Sequence, residues 1–185
     1  EDVYISDIFW PAPKLIPYPP LMTYGYKDFV IFPYKINFEN ANSLTFINVN
    51  INFLICDDVC VPEKANIKTN FDRLPNDKRL NDWLSKVPSI IFPVLSTQSK
   101  NFIEIRFSYN EKIDDIYFFP AQENSFQHAG KQILIKEENN WLLKVPLENA
   151  EINIKNLEGV LTINKENYLI DSITSSNKNV ETSIS

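Results

Sequence analysis

In the run Phe46-Ile47-Asn48-Val49-Asn50-Ile51-Asn52-Phe53-Leu54-Ile55-Cys56, apolar side chains at Ile47, Val49, Ile51 and Phe53 alternate with Asn48, Asn50 and Asn52. Successive side chains of an extended chain point to opposite sides, so a period of two gives one apolar and one polar face, as in a half-buried antiparallel strand. Working outward, similar extended stretches occur at 29–38, 102–109, 116–119, 132–136, 141–145, 152–154, 159–164 and 168–173. The expectation is an all-β protein. One segment, 76–86, reads as a helix, with Asn76 or Asp77 as N-cap, Leu80, Trp83 and Leu84 on one face, and Pro88 as its stop. The two prolines within 87–95 predict an extended connector and a domain boundary. Two immunoglobulin-like β-sandwich domains follow, at 1–87 and 88–175, with a polar tail at 176–185.

Composition narrows the chemistry. The chain has 185 residues, 44% of them apolar, enough for a substantial core. A formal charge of -6, with three arginines, argues against nucleic acid as a partner and against a basic membrane-binding patch. Three glycines cannot supply a phosphate-cradling loop or a dinucleotide fingerprint. One histidine and two cysteines do not make a four-ligand zinc site without carboxylates. No apolar run approaches the roughly 20 residues of a spanning helix. Glu1 as first residue, without an initiator Met or signal peptide, reads as a processed or excised piece.

The stretch 10–26 differs in kind, with five prolines, three tyrosines and a methionine. Proline removes ladder donors and fixes φ, so a stiff, extended loop carrying aromatic side chains is expected, either covering a sheet edge or acting as a lid.

Cys56 and Cys60 are the only thiols and directly follow the alternating run, in Cys56-Asp57-Asp58-Val59-Cys60-Val61-Pro62. Four extended residues would hold the two Cα atoms about 13 Å apart, whereas a disulfide needs about 5.5 Å, so bonding requires a tight turn. Asp57 and Asp58 favour such a turn. In the chain-entropy model a five-residue ring stabilises by only about 2 kcal/mol, against about 4.7 kcal/mol for a hundred-residue loop. A weak staple at a strand end has the features of an exchangeable bond. Spacing alone leaves open a structural hairpin disulfide, a redox pair, two unrelated thiols, and a Cu(I) site that recruits the Met22 thioether. The two aspartates disfavour thiolate, which suits a relay better than a strong oxidant.

Three blocks, Trp10-Pro11-Ala12-Pro13-Lys14, Tyr24-Gly25-Tyr26-Lys27-Asp28 leading through Val30 to Pro33, and the cysteine block with its trailing Pro62, resemble the N-terminal periplasmic domain of DsbD-type thiol:disulfide interchange proteins, particularly the ScsB-like copper-sensitivity branch. The resemblance spans about residues 8–70, and the stretch 102–173 is similar to the β domain that follows in the ScsB-like branch. It implies an immunoglobulin-like fold in the periplasm, as the soluble part of an inner-membrane protein. It also implies a protein-disulfide reductase activity that needs no cofactor. Electrons would come from a membrane-embedded reductase domain through a thioredoxin-like domain. They would leave to disulfide isomerases, cytochrome c maturation thioredoxins or copper-tolerance proteins. By position, Cys56 and Cys60 match the redox pair, and an aromatic cap loop falls near 18–22, with Tyr18 as the shielding ring, Met22 beside it and Tyr24 and Tyr26 as neighbours. Asp57, Asp58 and Pro62 complete the expected partner-binding surface. Relatives carry more sequence before the tryptophan-proline block, so either the first sandwich lacks its opening strands or something else supplies them. The alternatives to exchange are a Cu(I)-binding module and a non-catalytic docking domain.

Elsewhere, His128 reads as a loop or edge residue, since no nucleophile motif accompanies it. Trp83 and Trp141 read as packing residues, and Asp114 and Asp115 as a solvated turn.

Overall fold

The computed structural model describes residues 3–18, 21–38, 46–57, 59–70 and 77–176. Thirteen strands and one short helix are present among them, so the described residues are all-β apart from that helix. Two compact units emerge, and they interleave in sequence. The first comprises Glu1–Phe9 and Pro33–Asp82, the second Trp10–Phe32 and Trp83–Ser185.

In the first unit, β1 (Val3–Ile5) pairs antiparallel with β4 (Ile36–Phe38). The Lys35 amide donates to the Ser6 hydroxyl, and the Phe9 amide to the Pro33 carbonyl. The alternating run forms β5 (Phe46–Cys56), paired over its whole length with β6 (Cys60–Asn70). Ile47, Val49, Ile51, Phe53 and Ile55 line one face of this hairpin, while Asn50 accepts a hydrogen bond from the Asn66 amide on the other. A cleft of about 350 Å³ between Ile5, Ile8, Ile36 and Tyr34 on one side and Ile47 and Val49 on the other marks where the two small sheets meet.

The second unit carries the main core. Its seven-stranded sheet runs in the order β10 (Ile133–Lys136), β11 (Trp141–Pro146), β8 (Phe102–Phe107), β7 (Leu95–Gln98), β13 (Glu166–Ser176), β12 (Asn156–Ile163), β9 (Ile116–Pro120). The long β13 links the two halves: its first part pairs antiparallel with β12, whereas Thr174, Ser175 and Ser176 pair in parallel with β7. At that switch the buried Ser96 hydroxyl lies within hydrogen-bond distance of the Ser172 and Thr174 hydroxyls and the Ile173 carbonyl, so no polar group is stranded. The core between the halves joins Ile103, Ile105 and Leu143 to Phe118, Leu161 and Ile163, all essentially inaccessible. Each such side chain contributes about 1.5–3 kcal/mol of apolar transfer free energy.

Several expectations are corrected. The stretch 29–38 is strand only at Ile36–Phe38, because Pro33 interrupts the donors and the chain passes from one unit to the other there. The stretch 152–154 is not a strand: the Gln98 side-chain amide bonds the Ile152 carbonyl and the Ile154 N–H, taking the place of a ladder partner. The proline-rich segment is not a loop throughout, since β2 (Lys14–Tyr18) and β3 (Leu21–Gly25) form an antiparallel hairpin in which Pro17 faces Met22. A two-stranded hairpin offers Pro17 a free edge, which the sequence reading overlooked. The helix is α1 (Arg79–Leu84), shorter than expected, with the Asp77 carboxylate accepting from the Arg79 amide as N-cap. Asn76 lies outside the described residues. Trp83 is buried, edge-on to Phe29, but Leu80 and Leu84 are exposed. Trp141 packs against the core as expected, and Asp114 and Asp115 stand in an exposed turn bonded through their amides to Asn164.

Two positions are sharply constrained. A Cβ at Gly159 would collide with the Phe119 carbonyl and come within 2.8 Å of the Phe118 ring, and neither can swing away. At the sheet edge the Gln132 side chain accepts from the Phe118 amide at 2.9 Å and donates to its carbonyl at 2.7 Å, closing β9 to further pairing. Gly159→Ala is expected to lower unfolding free energy by about 2 kcal/mol or more, and Gln132→Leu by about 1–3 kcal/mol, with an added tendency to associate through the opened edge. Urea denaturation and sedimentation velocity check both.

Candidate functional site

The hairpin register sets the cysteine geometry. Ladder pairing continues through Leu54↔Pro62 and Ile55↔Val61 to Cys56↔Cys60, and the two sulfurs are bonded across it with Cα atoms 4.0 Å apart. The tight turn required for bonding is therefore present as a three-residue connection at 57–59. Asp57 is exposed beside Cys56, while Asp58 lies outside the described residues. Cys56 is exposed and Cys60 half-buried, so the Cys56 side is the more open to an incoming group.

Alternation places the disulfide on the asparagine face of the hairpin, with Leu54 and Pro62 next to it. Leu54 is 65% exposed and Val59 in the turn 68%. Exposed apolar residues therefore flank the disulfide on the strand and in the turn, together with exposed Asp57. Leu54 and Val59 were not singled out from the sequence. The signal for Leu54 was its place two residues before Cys56, on the polar side of an otherwise strict pattern.

The tyrosines and Met22 belong to the second unit. Tyr24 and Met22, two residues apart on β3, share one face of the β2–β3 hairpin. The Tyr24 ring stacks on His128 at 4.5 Å between centroids and meets Phe119 edge-on at 5.2 Å. Its hydroxyl lies 3.2 Å from that of Tyr117, which in turn donates to the His128 carbonyl at 3.4 Å. Burial, reinforced by the Tyr117 hydroxyl, drives the Tyr24 phenol far above the usual range, so it stays protonated and able to donate. Tyr26 donates to the Pro11 carbonyl at 2.7 Å and packs on Phe32, and burial pushes its phenol up to about 12. Tyr18 pairs with Leu21 near the hairpin tip, and its side chain lies outside the described residues. The structure thus gathers Cys56, Cys60, Asp57 and Pro62 on one hairpin, and Met22, Tyr24 and Tyr26 on another element. His128, read from sequence as a loop residue, is in a loop and serves as a stacking surface. Among the described residues no three His, Cys, Asp or Glu side chains cluster as metal ligands, and no helix is long and apolar enough to cross a membrane.

The fold is similar to the crystal structure of the N-terminal periplasmic domain of ScsB from Proteus mirabilis, with a TM-score of 0.73 and 17% identity over 95% of this chain and 73% of that one. A search of curated proteins gives no match. Residues 1–72, which include the whole disulfide hairpin, match the family described as thiol:disulfide interchange protein DsbD, N-terminal.

Proposed function

We propose that the chain is a periplasmic thiol–disulfide exchange domain that relays electrons through Cys56 and Cys60 from a membrane reductase to substrate proteins. The observation that carries this reading is the disulfide itself: it closes an exposed hairpin tip, is flanked by apolar residues suited to docking, and joins residues already held by ladder pairing. The family match over residues 1–72 supports the same chemistry.

In the receiving step a donor dithiol's thiolate attacks the Cys56 sulfur. A mixed disulfide forms and Cys60 leaves as thiolate, which takes up a proton. The donor's second thiol, deprotonated, attacks its own sulfur in the mixed disulfide and releases Cys56. Two electrons and two protons have then passed to the pair, and the donor is left as a disulfide. The delivering step reverses this on an oxidised substrate protein. The donor and acceptors are thioredoxin-like domains, and the donor receives its electrons from a membrane-embedded domain of the full-length protein. The segment Tyr18–Met22 acts as an aromatic lid that slows adventitious oxidation, with Tyr24, Tyr26, Asp57, Asp58 and Pro62 contributing to partner binding. The first unit is the immunoglobulin-like redox module in this reading, and the second a β-sandwich module that accompanies it.

The Cu(I) alternative calls on the Met22 thioether, but Met22 shares the hairpin face by which Tyr24 packs on the second unit. No observation favours that alternative.

The pair should equilibrate with glutathione or thioredoxin buffers at a midpoint above about -300 mV; a value well below that would mark an inert structural bond and reject the proposal. Because Cys56 is the more exposed, Cys60→Ser should accumulate a mixed disulfide with thioredoxin-like partners, seen by mass spectrometry, and Cys56→Ser should accumulate at least tenfold less. Replacing both cysteines with Ala should cost about 2 kcal/mol of stability at most and leave the fold intact by circular dichroism.

A further inference from the structure

The second unit, which does not contain the cysteine pair, holds a cavity of 480 Å³ on the outer face of its sheet. Register builds its floor. Tyr117 of β9, Thr162 of β12 and Asn167 of β13 stand at paired positions, so they share the face opposite the core residues Phe118 and Leu161. On that face the Tyr117 and Phe119 rings lie 4.8 Å apart between centroids. The Thr162 hydroxyl donates to the Asn167 side-chain carbonyl at 2.9 Å, which leaves the Asn167 amide donors for a guest. Leu15 on β2 supplies an apolar wall, held in place by the Ala12 amide, which donates to the Lys86 carbonyl at 3.1 Å.

The charge at this cavity runs against that of the chain. Net charge is -6, yet Lys14 on β2, Lys86 after α1 and Lys165 in the β12–β13 turn line the cavity against one carboxylate, Asp115. Arg106, Lys112 and Lys144 of the same unit are ion-paired, whereas among the described residues none of these three lysines is. The Lys86 ammonium is held 3.9 Å above the Trp83 ring instead. Lys165 is placed against a conformational preference. It forms a two-residue turn with Asn164, at φ 82° and 50° respectively, and glycine fits the second position of such a turn best. Strain of this kind, kept beside a cavity, points to a use for the side chain.

We propose that this cavity binds a small organic anion, with a flat apolar body resting on Leu15, Tyr117 and Phe119 and a carboxylate or sulfonate headgroup held by Lys14, Lys86 and Lys165. An apolar lining with a few convergent polar groups is the usual make-up of a small-molecule site. Lysine is a point charge without a fixed fork of donors, so the three together select for negative charge more than for headgroup shape. The Asn167 amide adds a hydrogen bond that fixes orientation. The site lies wholly within the second unit and is independent of the cysteine chemistry.

The test titrates the full 185-residue chain, labelled with nitrogen-15, with naphthalene-2-sulfonate and follows the backbone amides by NMR. The amides of Tyr117, Thr162, Lys165 and Asn167 should shift together, with a Kd below about 1 mM. The neutral naphthalene-2-sulfonamide has the same ring system and should bind at least about tenfold more weakly, and raising salt from about 50 to about 500 mM should weaken the sulfonate alone. Lys14→Gln and Lys86→Gln should each weaken the sulfonate about threefold or more. Lys165→Gly removes the cation while suiting the turn, so it should weaken binding by a similar factor with a urea midpoint no lower than wild type. Sulfonate that shifts none of the cavity amides, or only those of the apolar cleft in the first unit, would overturn the proposal. Equal binding of sulfonate and sulfonamide would do the same, as would lysine variants that bind like wild type. Weaker binding by Lys165→Gly together with a lower midpoint would mark structural damage and overturn the role given to Lys165.

Discussion

One register constraint governs the candidate site. Cys56 faces Cys60 because ten further ladder pairs, from Phe46↔Asn70 to Ile55↔Val61, hold β5 and β6 in step. A slip by one residue would turn Ile47, Val49, Ile51 and Phe53 to the polar side and remove Asn50 from Asn66, so the pattern that defines the strand also defines where the sulfurs meet. The thiols are thus held opposite one another by groups remote from them, and the pairing does not require the covalent bond. For the exchange proposed above this is a favourable arrangement, because ladder pairing remote from the sulfurs would keep the two thiols close once the bond is opened.

The interleaving of the two units has a comparable effect. The chain passes between units at Phe9/Trp10, Phe32/Pro33 and Asp82/Trp83. Residues that precede the cysteines in sequence therefore complete the packing around Phe119 and His128, which follow them by some sixty residues or more. A sequential cut in the connector would strip Tyr24 from its neighbours, so the second unit needs the segment Trp10–Phe32 as much as its own later strands.

The legible parts of the sequence were those where a local pattern and the tertiary environment agree. Alternation at Ile47 to Phe53 marked β5, and the regular strands of the second unit announced most of its core. The cysteine spacing, with its aspartate turn, showed that a bond required a sharp reversal, and the reversal is there. The misses have specific physical causes. Periodicity cannot reveal who pairs with a stretch, so 152–154 looked like a strand although Gln98 supplies its partner from a side chain. Proline at Pro17 suggested a loop because interior ladders exclude it, yet a two-stranded hairpin has no interior. His128 carries no local signal at all, since its role is created by Tyr24, 104 positions earlier in the chain.

The main core and the disulfide are separated in this molecule. The closely packed core of Ile103, Ile105, Phe118, Leu161 and Ile163 lies in the second unit, whereas the disulfide sits at the tip of a hairpin in the first, where Leu54, Ile55 and Val59 are exposed. Regions with few buried contacts open most easily, and recognition elements are drawn from them. A five-residue ring there contributes about 2 kcal/mol at most by loop-closure entropy, and less when the ladder already restricts the open form. The bond thus constrains the hairpin tip in one unit, while the closely packed core lies in the other. A bond placed across that core would have stabilised the fold more, and for that reason would have been harder for a visiting thiolate to reach and to break.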